Sequence, residues 1–290
     1  MIRSYRTVRR IWGILESEVR KHPSLLLPFL IVGLADGILL TLIYLAPQAP
    51  VSTVLAPVVR AFFGEAYLHY PANFVVIPKM YGVGYSVISA TLGLLLTATA
   101  ILMLRDSHSE RLPHPWKSFT ESIRIYVPLF ALWIFHFLLI NGIFKFGGLL
   151  ASKLVGHLWA RNLPGGVATM QTGIFWISVF VALVFESAMI YFIPTYLYGD
   201  RRFLPSVGRA LQSARRLWLP TLLLVVLPTF LLFPVFQLRR NLVLLMNHTV
   251  PETMLWVHAA SLILTVVVDF VVVMSAALLL LVARDAGEQG

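Results

Sequence analysis

Hydrophobic positions along the chain gather into six long runs, separated by shorter stretches in which arginine, proline and serine recur. The runs lie near Pro23–Ala46, Gly82–Leu104, Tyr126–Leu149, Thr172–Tyr198, Leu217–Phe236 and Trp256–Ala283. A helix of about 20 apolar residues crosses the roughly 30 Å hydrocarbon core of a bilayer. The pattern therefore predicts an all-α polytopic membrane protein, one integral membrane domain over residues 1–290 with six spans.

The stretches before alternate runs carry a different period. Tyr5, Val8, Trp12, Leu15 and Val19 recur at spacings of three and four, which gathers them on one helical face. Arg3, Arg6, Arg10 and Arg20 fall mostly off that face, and with Arg9 they give the arm a basic side. Such a helix lies in the membrane interface with its cations toward anionic headgroups, in preference to packing on a protein partner. "PHPWKSFTESIRIYVPLF" and "FLPSVGRALQSARRLWLPTLL" repeat the arrangement before the third and fifth runs. Glu16-Ser17, Glu121-Ser122 and Gln212-Ser213 each precede a proline, Pro23, Pro128 or Pro220, that suits the first turn of a helix. The chain thus reads as a threefold hairpin repeat of interfacial helix, span, outer loop and returning span. In the first outer loop, "STVLAPVVRAFFGEAYLHY" predicts a further amphipathic helix, and "YPANFVVIPKMYG" an aromatic interfacial anchor.

Composition strengthens the membrane reading. Hydrophobic residues make up 58% of the chain and charged residues 12%, where soluble domains carry about 25% charged residues. With no cysteine, disulfides, thiol nucleophiles and cysteine metal sites are excluded. The net charge of +10 forms no aromatic-interleaved patch, so no nucleic-acid partner is expected.

The cations instead follow topology. Sixteen fall on one side: six in the arm through Lys21, then Arg105, Arg111, Lys117, Arg124, Arg201, Arg202, Arg209, Arg215, Arg216 and Arg284. Seven fall on the other: Arg60, Lys79, Lys145, Lys153, Arg161, Arg239 and Arg240. Because cytoplasmic loops retain positive charge, both termini are expected in the cytoplasm, at a bacterial inner membrane. The first run starts too late and runs too long for a removable signal peptide.

"FIPTYLYGDRRFLPSVGRALQSARRLWLPTLLLVVL" resembles the signature stretch of an uncharacterised six-helix bacterial inner-membrane protein family, related to the membrane domain of glycerophosphoryl diester phosphodiesterases. Pro194, Asp200, Ala210, Leu211 and Ser213 occupy the matching places. The resemblance implies six helices with interfacial helices between pairs. It implies no activity, since the phosphodiesterase needs a separate soluble barrel for which this chain has no room.

No nucleophile elbow, phosphate loop, dinucleotide fingerprint or kinase motif occurs. "NLPGGVATM" reads as a turn, and Asn247-His248-Thr249 is a formal glycosylation acceptor. His69, His157, His248 and His258 fall on the outer side without metal-ligand spacing, so no metal or cofactor is expected.

Three carboxylates interrupt the spans: Asp36, Glu186 and Asp269, each about midway. An aspartate at a span centre costs about 2.5–3.5 kcal/mol on insertion, so three such placements need a reason. No lysine or arginine lies at matching depth, which leaves His136 and Asn141 as the other polar candidates. His258, Ser261, Thr265 and Asp269 share one helical face, and Ser178, Ala182 and Glu186 another. The carboxyls either hydrogen-bond neighbouring helices as glue or line a path for a proton, a cation or a substrate.

The leading functional expectation is a non-enzymatic membrane protein, a scaffold or accessory subunit of a membrane complex or a lipid-organising protein, with anionic lipids and membrane proteins as partners. The alternative is a transporter or permease component using the midplane carboxylates. A lipid-processing enzyme is the weakest reading.

Overall fold

The computed structural model describes residues 2–160, 164–199, 201–241 and 248–288, and among these it contains no strand. Six helical segments are long and apolar enough to cross a membrane: Pro23–Tyr44, Asn73–His108, Tyr126–Gly156, Thr169–Tyr198, Trp218–Arg239 and Thr253–Ala286. The chain is an all-α polytopic membrane protein. The first span ends slightly earlier than predicted and the other five are longer. The second begins at Asn73 because backbone bonds from Asn73 to the His69 carbonyl and from Phe74 to the Pro71 carbonyl start the helix well before Gly82.

In chain order the helices are α1 (Ile2–Lys21), α2 (Leu27–Tyr44), α3 (Ser52–Phe62), α4 (Asn73–Ile88), α5 (Leu94–His108), α6 (Pro115–Arg124), α7 (Tyr126–Ala160), α8 (Pro164–Met189), α9 (Phe192–Tyr198), α10 (Phe203–Arg216), α11 (Trp218–Thr229), α12 (Phe233–Arg240) and α13 (Thr253–Glu288). Amphipathic α1, α6 and α10 each precede an odd-numbered span, and α3 lies between the first and second spans, where the sequence predicts a helix. A π-helical turn, Ser89–Gly93, joins α4 to α5. α8 starts at Pro164, so most of the "NLPGGVATM" stretch read as a turn is helical, and its proline occupies the first position where a missing N–H costs nothing. Asp200, Arg161 and Asn247 lie outside the described residues.

α1 corrects one predicted face. Its buried stripe is Val8, Ile11, Leu15 and Glu18, while Tyr5 is 57% exposed. The stripe is rotated because Glu18 leaves water to bond the Ser107 hydroxyl of α5, and a buried carboxylate requires such a partner.

The chain forms two compact units. The flanking unit holds residues within Ile14–Arg124 and Leu227–Ser275, and the middle unit those within Met1–Gly13, Ile125–Val226 and Ala276–Gly290. In the flanking unit, Leu40 and Ile43 of α2 pack with Phe74, Ile77 and Tyr81 of α4, Val235 of α12, and Met254 and Val257 of α13. Small residues let these helices approach closely. A Cβ at Gly33 would stand 2.8 Å from Val266 Cγ2, and one at Gly84 only 2.6 Å from Leu39 Cδ2. α6 meets α5 where the Thr99 and Ser122 hydroxyl oxygens lie 3.2 Å apart, each donating to a carbonyl of its own helix, Leu95 at 2.8 Å and Ser118 at 2.9 Å.

In the middle unit, α7 runs along α8. A core of Leu132, Tyr191, Phe192, Ala210, Ala214, Ala276 and Leu280 seats α10 through its alanines. The Thr221 hydroxyl donates to the Leu217 carbonyl at 2.7 Å, which leaves the buried Tyr191 hydroxyl to donate to Thr221. Only 11% of the third span and 17% of the fourth are buried, against 56% of the second and sixth. Most of the side-chain surface of α7 and α8 is therefore suited to face lipid or another protein.

Candidate functional site

The flanking unit concentrates the polar groups of its spans. Asp36, on α2, is 3% exposed, and its Oδ1 has no hydrogen-bond partner among the described residues. It is buried because Leu30, Leu34 and Ile38 take the opposite, exposed stripe of the same helix, a division that a helix apolar on both sides does not reveal in its sequence. Tyr85 of α4 lies within electrostatic reach of both Asp36 and Asp269 and of Arg239, and Tyr81 within reach of Asp36 and Arg239. Asp269 is exposed along α13 and Thr265 is half-buried. One carboxyl is thus enclosed and the other open, with Tyr85 electrostatically linked to both.

Arg239 changes the charge balance expected here. Placed among outer-loop cations by sequence, it sits on α12 as the last residue of the fifth span. Its Nη1 donates to Ser261 Oγ at 3.4 Å, on the same α13 face as Thr265 and Asp269. A cation therefore reaches this polar face after all, because the helix continues past Phe236 and carries the guanidinium with it.

His258, predicted on the outer side, is fully buried. Its Nδ1 donates to the Met254 carbonyl at 2.8 Å and its ring meets Tyr81 edge-on with centroids 5.9 Å apart. That bond places a hydrogen on Nδ1, and Nε2 has no partner among the described residues. Tyr81, Tyr85 and Arg239 are the members that sequence reasoning missed. For the tyrosines the available signal was helical spacing, since Tyr81, Tyr85 and Ile88 share a face.

Glu186 belongs to the middle unit and has a different setting. Its Oε2 lies 2.6 Å from His136 Nε2, joining α8 to α7, with each side chain about one-third exposed. Ser178, on the predicted stripe, bonds the Ile174 carbonyl at 2.9 Å, and Asn141 the Phe137 carbonyl at 2.8 Å.

Of the nine arginines expected at the interface, seven fall on two helices. Arg6, Arg9 and Arg10 are exposed on α1, which also carries Arg3. Arg201 and Arg202 are exposed ahead of α10, Arg215 and Arg216 are exposed on it, and Arg209 is half-buried. Between the first and second spans, Arg60 pairs with Glu65, the second contact being Nη2 to Oε1 at 3.2 Å. That hydrogen bond holds the Glu65 carboxyl below its ordinary value and raises Arg60. Among the described residues no group of three His, Asp or Glu side chains gathers as a metal ion requires. Comparison with known proteins finds no matching family model, no matching curated protein and no matching solved structure.

Proposed function

We propose that this chain is a non-enzymatic, lipid-organising protein of the bacterial inner membrane, a scaffold that gathers anionic lipid, with both termini in the cytoplasm. The observation that carries the reading is the threefold placement of amphipathic helices ahead of spans. On them, exposed apolar side chains such as Trp116 and Leu204, each 78% exposed, lie among exposed arginines. Apolar groups in the acyl boundary and guanidinia at headgroup level are how an interfacial helix binds an anionic leaflet. The proposed kinship with the membrane domain of the phosphodiesterases agrees with this reading. Giant vesicles containing traces of fluorescent phosphatidylglycerol and phosphatidylcholine test it. Enrichment of the anionic lipid around the protein, reduced by Arg6→Gln, Arg9→Gln and Arg10→Gln together, supports the reading, and equal recruitment of both lipids sinks it. Because the chain lacks cysteine, Tyr5→Cys and Phe62→Cys report sidedness without background labelling.

A second reading is favoured by the buried, unpartnered Asp36 oxygen beside Tyr85 and the open Asp269. In it these carboxyls bind a proton or a cation for transport. Proteoliposome uptake that is lost in Asp36→Asn and Asp269→Asn at unchanged stability supports this alternative. Identical ion fluxes with and without the protein eliminate it.

A further inference from the structure

The middle unit contains a cavity of about 290 Å³ lined by Thr195, Gly199, Arg209, Ser213, Arg216 and Arg284, with Gln212 and Leu280 completing it. Three guanidinia converge there, and no acidic residue is among the described residues lining it. Arg209 and Arg216 stand two turns apart on one face of α10, with Gln212 and Ser213 between them. Arg284 comes from the far end of α13 and is fixed where its Nη1 donates to the Tyr198 carbonyl at 2.8 Å. Gly199 lets Arg209 lie flat against the backbone, since a Cβ there would stand 3.0 Å from Nη1 and 3.1 Å from Nη2.

Thr195 supplies an independent sign. Elsewhere in the helices Thr41, Thr91, Thr99, Thr120 and Thr221 turn their hydroxyls onto the carbonyl four residues back. Thr195 is 7% exposed, yet its hydroxyl has no partner among the described residues. A buried hydroxyl ordinarily finds a partner, so this one is an unmet hydrogen-bonding group in a residue of the cavity wall.

We propose that this cavity is a binding site for a phosphate group. Planar guanidinium forks match phosphate oxygens in pairs, and the Thr195 and Ser213 hydroxyls supply neutral donors. The cavity lies by the end of the fourth span at Tyr198 and near that of the sixth at Ala286, and α10, which lines it, leads into the fifth at Trp218. Those span ends belong at headgroup depth. The inference deepens the lipid-organising reading and rests on it, assigning the headgroup phosphate to a defined cup.

Native mass spectrometry of the full chain in detergent tests the assignment with phosphatidic acid, diacylglycerol, glycerol 3-phosphate and inorganic phosphate. Wild type binds phosphatidic acid and not diacylglycerol. Arg209→Gln with Arg284→Gln weakens binding about 100-fold or more, by analogy with lost charged hydrogen bonds. Thr195→Val weakens it roughly tenfold without lowering the thermal unfolding midpoint, because the hydroxyl it removes has no partner among the described residues. Competition by glycerol 3-phosphate or inorganic phosphate at similar concentration identifies a soluble phosphate as occupant, and its absence identifies the lipid. Wild-type affinity in Thr195→Val and in the double arginine variant overturns the site, as does failure of wild type to bind any phosphate probe. Equal recruitment of phosphatidylglycerol and phosphatidylcholine around the wild type, with cavity binding intact, strikes the lipid-organising reading alone.

Discussion

Asp36 and Glu186 are carboxyls near the middle of their spans, in two units that treat them in opposite ways. Glu186 in the middle unit meets His136 on the neighbouring helix at 2.6 Å and keeps partial exposure. Asp36 in the flanking unit is enclosed, and one of its oxygens is unpartnered among the described residues. The first arrangement is an interhelical tie. The second leaves a polar atom unsatisfied in an apolar interior, which costs stability and persists where another role maintains it. Span position alone therefore does not assign a carboxyl's role; what faces it does.

The sharpest way to break this comparison is to make the same change on both sides. Asp36→Leu is expected to raise the unfolding free energy in bicelles by about 1–3 kcal/mol, the desolvation cost of an unsatisfied buried group, whereas Glu186→Leu lowers it. Equal signs would show that the two settings are energetically alike. Next in size, a double-mutant cycle of His136→Ala and Glu186→Ala should give a coupling of about 0.6–1.7 kcal/mol, toward the lower end given the exposure of both groups. Zero coupling removes the tie.

A smaller loss, about 0.5–1 kcal/mol, is expected for Ser261→Ala, because the 3.4 Å bond from Arg239 is long. A larger loss would give the arginine a stronger hold on that face than its distance implies. The smallest effect belongs to the loop between the first and second spans. Glu65 sits below its ordinary value of 4.5 through Arg60, so the pair's contribution is present above that pH and lost as the pH falls through the lowered value. Being exposed, it should leave the unfolding midpoints of Glu65→Gln and wild type indistinguishable at pH 7, and no wild-type advantage should emerge on acidification.

The six spans were legible in the sequence because a bilayer fixes how long an apolar helix must be. The three amphipathic helices were legible because arginine and serine interrupt apolar positions at helical spacing. Facing was harder to read. On α2 both sides are apolar, so nothing in the pattern separates Leu34, which is exposed, from Leu40, which is buried. On α1 the choice between Tyr5 and Ile11 turned on Glu18, whose partner Ser107 is distant in sequence. Arg239 reads as a loop residue because hydropathy falls at Gln237, although the helix runs on. The phosphate cup was illegible for the same reason: Arg284 reads as a single tail cation, and only the fold brings it to Arg209 and Arg216.

The π-helical turn at Ser89–Gly93 gives the second span an adjustable phase. Such a turn amounts to one residue inserted into an α-helix, which rotates the residues beyond it by about 100°. Phe74, Ile77 and Tyr81 lie before it, and the almost wholly buried run Ala98–Leu104 lies after it. Deleting Ala90 would restore a regular helix and turn Tyr81 and Tyr85 away from Asp36 and Arg239 while Leu94–His108 kept its seat. The span works as two gears on one shaft, and their relative setting is carried by a single codon.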